Sequence, residues 1–431
     1  SYIHMSKAMI GMGFNNLDGW DGSGITHGRI WDMGVAWNNI HLGIDSYDWN
    51  ALDVIVSKMK SNNMHITYVI GATPLWLAKY PNNPNYAPWL GPGSNSMPSD
   101  MDEANKFFWN LATRYAGQIN AYEIWNEPQL QDFLYPYDEV ETADLATLTK
   151  RAKSTIGSCD PSAKVLAASV LPRSSSGGMQ KASLYLDAIK SIGWPIDAFT
   201  VHIYPNIGEG PDAFTAMLQD TITSLSTYSP PTMELWITET NYNIPNGPII
   251  SEDEANNYVS KTYDAANSMG IGMLYWYGWN TAPSIGGLNI NIGTSAWEAI
   301  KMHDAGVDIK VSPVFNETVK YTPDIVGDTI ISCSPYEADA CNCVYYARDL
   351  QPGLPNGCGT CDDKKHVANS DTAKPGCVLF RTGDPTYCHA AFVYSVSPDT
   401  VFYQQSNWTP CKCSTDSLPI NSDKIIGYWC P

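Results

Sequence analysis

The chain of 431 residues is poor in positive charge: 25 Lys+Arg stand against 44 Asp+Glu, a formal net charge of −19. Nucleic acids and anionic lipid surfaces are bound through basic faces, so neither is an expected partner. No run of about 18 apolar residues occurs, the length a helix needs to cross a bilayer, and no membrane partner is expected. Charged residues make up only 16% against 44% hydrophobic, which excludes a disordered chain and suits globular cores. Cysteine is nearly missing from the long N-terminal part. Cys159 stands alone there, and the rest of the 11 cysteines lie between Cys333 and Cys430.

That contrast reads as two domains. A globular domain spans 6–306, a linker with no helical period spans 307–328, and a Cys-rich domain spans 329–431. Residues 1–5 are set aside as a cloning scar with an initiator methionine. Small Cys-dense domains belong to oxidising compartments, so a secreted, extracellular protein is expected. The alternative for the cysteines is zinc, with Cys341, Cys343, Cys358, Cys361, Cys411 and Cys413 as ligands, but no histidine spacing supports it. The expected metal and cofactor content is none. The odd cysteine count leaves one thiol unpaired in an oxidised monomer. Either Cys343 is free and Cys159 bridges to the tail, or all tail cysteines pair and Cys159 is the free thiol.

Up to about residue 303 the pattern alternates strand and helix. Strands are predicted at Ile10–Phe14, Arg29–Met33, Ile66–Gly71, Ala121–Asn126, Val165–Ser169, Ala198–Ile203, Glu234–Thr238 and Gly272–Trp276. Amphipathic stretches lie between them, with Asp48, Ser99 and Ser251 at N-cap positions. Eight such units predict an α/β fold, a (β/α)8 barrel. The first connection, Asn15–Gly28, is a Gly/Asp loop with no helical pattern.

In such a barrel the chemistry sits at the C-terminal strand ends. The fourth strand ends in Trp125-Asn126-Glu127-Pro128, and the seventh in Trp236-Ile237-Thr238-Glu239-Thr240. Two carboxylates facing each other across a cleft can protonate a glycosidic oxygen and attack an anomeric carbon. Taken singly, each is more readily a helix cap or a solvated strand-end acid. The 15 Trp and 25 Tyr are many for this length and compatible with sugar stacking.

The Trp-Asn-Glu-Pro motif resembles the acid/base motif of the clan of retaining glycosidases built on (β/α)8 barrels. The strand ending in Glu239 resembles that clan's nucleophile strand. The likeness covers roughly residues 9–303 and is nearest to members related to glycosidase family 39. It implies an endo-acting retaining β-glycosidase, with Glu127 as acid/base and Glu239 as nucleophile. It also implies Arg29 beside the nucleophile, Asn126 on the sugar 2-hydroxyl, and His202 and Tyr204 lining the site. Trp276 and Trp279 would floor a sugar subsite. Trp37, Trp76 and Trp89, on loops after the second and third strands, are further stacking candidates, with packing the equal alternative. The implied partner is a β-linked polysaccharide, with cell-wall glycans among the candidates.

In the tail, Cys343-Val344-Tyr345-Tyr346 opens a helical pattern, and strands follow at Cys377–Phe380, Cys388–Tyr394 and Val401–Trp408. The order resembles the CHAP domain, a papain-like amidase that cleaves peptidoglycan. Cys343, His389 and Asn407 would then be a second catalytic set. Cys377, Cys388 and Gln405 depart from that pattern. Two alternatives follow: a bifunctional cell-wall lytic enzyme, or a glycan-binding protein on an inactive barrel.

Overall fold

The computed structural model describes residues 8–22, 24–242, 250–281, 287–304, 330–331, 343, 347, 350–354, 364–365, 367–382, 388–406 and 413–431. The chain divides into two compact units, Ser1–Lys320 and Tyr321–Pro431. The stretch read as a linker, 307–328, lies outside the described residues.

In the first unit eight parallel strands close into a barrel in the order β1-β10-β9-β8-β7-β6-β5-β2. They are β1 Met9–Phe14, β2 His27–Ile30, β5 His65–Ile70, β6 Ala121–Ile124, β7 Lys164–Leu166, β8 Ala198–Ile203, β9 Glu234–Thr240 and β10 Met273–Trp279. Helices α2 (Asn50–Ser61), α3 (Met101–Arg114), α4 (Glu139–Cys159), α5 (Gly178–Ser191), α6 (Pro211–Ser226), α7 (Glu252–Ser268) and α8 (Ser295–His303) alternate with them. A short helix, α1 (Trp37–Ile40), and a hairpin of β3 (His41–Gly43) and β4 (Ser46–Tyr47) precede α2. No helix occurs among the described residues between β1 and β2, as the Gly/Asp pattern there predicted.

The helices form where the sequence supplies both cap and apolar stripe. Ser251 caps α7 in a reciprocal box with Glu254. Asp100, one residue beyond the expected Ser99, caps α3 through the backbone N–H groups of Asp102 and Glu103. Trp49, not Asp48, holds the cap position of α2. On α3 the buried face is Ala104, Phe107, Phe108, Leu111 and Ala112. It joins the large core between barrel and helices.

Inside the barrel, Ala121, Leu166, Ala198, Trp236, Met273 and Tyr275 pack together, with Met9 beneath. Alternation then fixes what points inward higher up: Arg29 on β2, Glu123 on β6, His202 on β8 and Tyr277 on β10. On β1 the inward positions are Gly11 and Gly13. A Cβ at Gly11 would sit 2.4 Å from the Tyr275 ring, and one at Gly13 would sit 3.3 Å from the Tyr277 ring. Strand β1 therefore leaves a trough across which both tyrosines lie. Tyr275 reaches Thr67 on β5, hydroxyl to hydroxyl, at 2.9 Å.

The second unit is an antiparallel sheet in the order β11-β15-β14-β13-β12-β16. These are β11 Ile330–Ile331, β12 Val378–Arg381, β13 His389–Val396, β14 Thr400–Ser406, β15 Cys413–Pro419 and β16 Ile425–Trp429. One face carries Leu379, Ala391, Val393, Val401 and Tyr403. The other carries Val378, Phe380 and Ala390 and packs on Ala347 and Leu354. A disulfide joins Cys377 and Cys430.

Candidate active site

The site is organised round one buried cation. Arg29 stands in the barrel axis, 1% exposed, where an unpaired guanidinium would be untenable. It donates through Nε (3.1 Å) and Nη2 (2.6 Å) to Glu123 Oε1, and through Nη1 (2.7 Å) to Glu239 Oε1. Nη2 also reaches Asn126 Oδ1 at 3.0 Å. Burial works against its charge, but Glu123 and then Glu239 outweigh it and hold the guanidinium above its ordinary range. With Oδ1 taken by Arg29, Asn126 keeps its amide N–H groups as donors.

Glu239 receives a second bond, 2.6 Å, from the Tyr204 hydroxyl. Burial, then Glu239 and Glu127, push the Tyr204 hydroxyl well above its usual range, so it stays a donor. Glu127 arrives by a backbone device. Trp125 and Glu127 both adopt left-handed conformations, φ 82° and 44°. The chain thereby turns sharply past β6, and the Glu127 N–H is secured on Ser169 Oγ at 3.0 Å. Non-glycine residues carry this strain mainly where surroundings enforce it, commonly at functional sites.

His202 lies between the acids, fully buried. Its Nδ1 is 2.7 Å from Glu127 Oε1 and 3.4 Å from Glu239 Oε2, and its Nε2 faces Arg29 Nη2 at 3.4 Å. Arginine only donates, so Nε2 accepts and the Nδ1–H donates to Glu127. One ligand atom from each of Glu127, His202 and Glu239 falls within 4.8 Å of the others. The two carboxyl groups are thus close neighbours, as the two acids of a glycosidase must be.

Of the sequence-derived residues, Arg29, Asn126, Glu127, His202, Tyr204 and Glu239 converge. The tryptophans do not. Trp276 and Trp279 are both fully buried in the core between barrel and helices. Trp279 donates to Asp18 O and packs edge-on against Trp297. Strand β10 turns Met273, Tyr275 and Tyr277 inward, so Tyr277 takes the place expected of a tryptophan. Trp37 is core as well, stacked on Phe107 with its N–H on His41. Trp76 is 38% exposed, and its N–H is fixed on His41 O. Trp89, 52% exposed, stands edge-on to Trp31, which packs beside Gly71 at the end of β5. Sequence reasoning missed Glu123 as the Arg29 anchor, and also Asp32 and Tyr277, whose hydroxyl donates to Asp32 Oδ2.

In the tail, Cys343 is a free, half-buried thiol packed on the face that carries Ala390. Alternation along β13 puts the neighbouring His389 on the opposite face, with Ala391. There it bonds Gln405, and burial, with Arg381 and Lys364, lowers its pKa to about 3. Alternation thus sets the imidazole and the thiol toward different faces of the sheet. Asn407 lies outside the described residues. Cys159 is a free thiol too, pushed up to about 12 by burial. The two free thiols thus combine half of each pairing scheme, and no bridge joins Cys159 to the tail.

No protein-family model and no curated protein matches the sequence. The fold does match solved structures. A family 39 β-xylosidase from Caulobacter crescentus aligns with TM-score 0.53 and 19% identity over 72% of this chain and 73% of that one. A family 39 enzyme from Xanthomonas axonopodis pv. citri aligns with TM-score 0.53 and 19% identity over 76% of each chain. A family 39 glycoside hydrolase from Bacteroides cellulosilyticus aligns with TM-score 0.50 and 14% identity. That match covers 69% of this chain, which spans only 64% of that one's length. What these matches show is a shared fold, the (β/α)8 barrel.

Proposed function

We propose that the protein is a retaining β-glycosidase, an endo-acting enzyme that hydrolyses a β-linked polysaccharide outside the cell. The observation that carries this reading is the approach of Glu127 and Glu239 within 4.8 Å, with His202 between them. Glu239, held by Arg29 and Tyr204, attacks the anomeric carbon. Glu127, oriented by the His202 Nδ1–H on one oxygen, gives a proton from the other to the departing glycosidic oxygen. It then takes a proton from the water that releases the sugar. Asn126 offers its amide to the neighbouring 2-hydroxyl. The disulfide Cys377–Cys430 supports an oxidising, extracellular location. Xylan-type glycans head the substrate panel, because one fold neighbour is a β-xylosidase.

Two measurements test the reading. Proton NMR of the first product should show the β-anomer before mutarotation. A 2-deoxy-2-fluoro glycosyl fluoride should label Glu239, seen by peptide mass. An α-anomer as first product, or label on another residue, overturns it.

A further inference from the structure

Asp32 takes no part in the mechanism above, yet it stands in the same cleft. It lies two residues beyond β2, the strand that supplies Arg29, and is half-buried. Its Oδ2 accepts the Tyr277 hydroxyl, which reaches it from β10 across the glycine trough of β1. Its Oδ1 is buried and has no hydrogen-bond partner among the described residues. A buried carboxylate oxygen left without a donor is rare and calls for a physical reason. Burial first, then the charge of Glu239, raises Asp32 to about 6, against the pull of the Tyr277 hydroxyl, of its own backbone N–H and of Arg29. It is therefore electrostatically in touch with both the nucleophile and its cation. An acceptor-only oxygen, fixed in direction by Tyr277 and set beside the nucleophile, suits a sugar hydroxyl.

The charge of the site narrows the sugar. Glu123, Glu127, Glu239 and Asp32 face one guanidinium, Arg29, already bonded to Glu123 and Glu239. Arg173 follows β7, three strands round the barrel from β2. Among the described residues these acids have Arg29 as their one Lys or Arg partner, so a carboxylate on the reacting sugar would meet Glu127, Glu239 and Asp32 with that cation already committed.

We propose that Asp32 is the specificity-determining acceptor for the reacting sugar: Oδ1 takes a hydroxyl hydrogen, and the carboxylate selects neutral glycosides over uronic acids. The proposal rests on the glycosidase reading. Tyr277 acts through it, as a positioning residue.

The test uses aryl β-xylosides, β-glucosides, their monodeoxy analogues and the β-glucuronide with the full-length protein and Asp32→Asn. Calorimetry of the same sugars on Glu239→Gln, with and without Asp32→Asn, runs alongside. For the intact protein, deleting one particular hydroxyl should lower kcat/KM about 10- to 100-fold, the range for a hydrogen bond to a charged group. In Asp32→Asn that penalty should shrink to about 3-fold or less, and the preference over the glucuronide should narrow at least about 10-fold. Tyr277→Phe, which keeps the carboxylate but removes the hydroxyl that fixes its direction, should give a deoxy penalty between those of the parent and Asp32→Asn, as a positioning role requires. Equal penalties in the parent and Asp32→Asn, in both turnover and binding, overturn the proposal. Binding with that hydroxyl dependence but no turnover sustains Asp32 and overturns the glycosidase reading. Neither binding nor turnover overturns both.

Discussion

Replacing Arg29 with leucine removes the one cation that Glu123 shares. Glu123 is fully buried and receives both Arg29 bonds on a single oxygen, at 3.1 and 2.6 Å. Its second oxygen is buried with no partner among the described residues. Among the described residues Arg29 is the one Lys or Arg bonded to Glu123, so the variant should lose about 3–5 kcal/mol, the usual cost of breaking a buried ion pair by deleting one partner. Against a typical total of about 5–15 kcal/mol, that is a large fraction. Arg29→Leu combined with Glu123→Leu should recover most of it, because a buried pair exchanged for apolar groups of similar volume is often neutral or stabilising. Activity should not follow. In both variants Glu239 keeps Tyr204 but loses the 2.7 Å guanidinium bond, a loss of about 10- to 100-fold in kcat/KM. Arg29→Lys should rescue little, since a compact ammonium lacks the planar, five-donor fork that reaches Glu123, Asn126 and Glu239 together. Urea unfolding followed by tryptophan fluorescence, with initial rates on an aryl glycoside, reads both effects. An Arg29→Leu protein within about 1 kcal/mol of the parent, or a double variant less stable than the single, would refute the reasoning.

Two further outcomes are expected. Glu127→Ala should spare aryl glycosides with very acidic leaving groups and be rescued by azide, whereas Glu239→Ala should be inactive on every substrate; equal losses without rescue would exchange or cancel the assignments. Asp32→Asn should stabilise the fold at pH 7–8. Asp32's folded pKa, about 6, is raised from 3.8, so its favourable contribution is complete below the unfolded value and is lost as pH rises through the folded one. The gain should be at most about 3 kcal/mol and vanish below pH ~4; a gain that persists at pH 3.5 would show that another cause is at work.

What could be read from sequence, and what could not, follows from strand physics. Glu127 and Glu239 were legible because a short motif at a strand end fixes both residue type and place. The inward-facing aromatic of β10 was not. The run Met273-Leu-Tyr-Trp-Tyr-Gly-Trp279 is apolar on both sides, as parallel strands covered on both faces are, so its pattern cannot say which rings face in. Ending that strand at Trp276 instead of Trp279 left Tyr277 out and put two core tryptophans in the cleft. Trp37 misled likewise: it follows a mouth strand, but α1 folds it onto Phe107. In the tail, the strands carrying Cys377, His389 and Gln405 were legible as strands. The side of the sheet each residue faces depends on parity, and parity separates His389 from Cys343.

The glycines of β1 bear on how this site could change over generations. Glycine weakens a strand, so a stability-guided redesign would fill Gly11 and Gly13 first. At Gly11 even a methyl group would collide with the Tyr275 ring. At Gly13 it would crowd Tyr277 and, through it, Asp32. A change on β1 therefore requires a coordinated substitution on β10, and the two strands form a linked pair in the space of viable sequences.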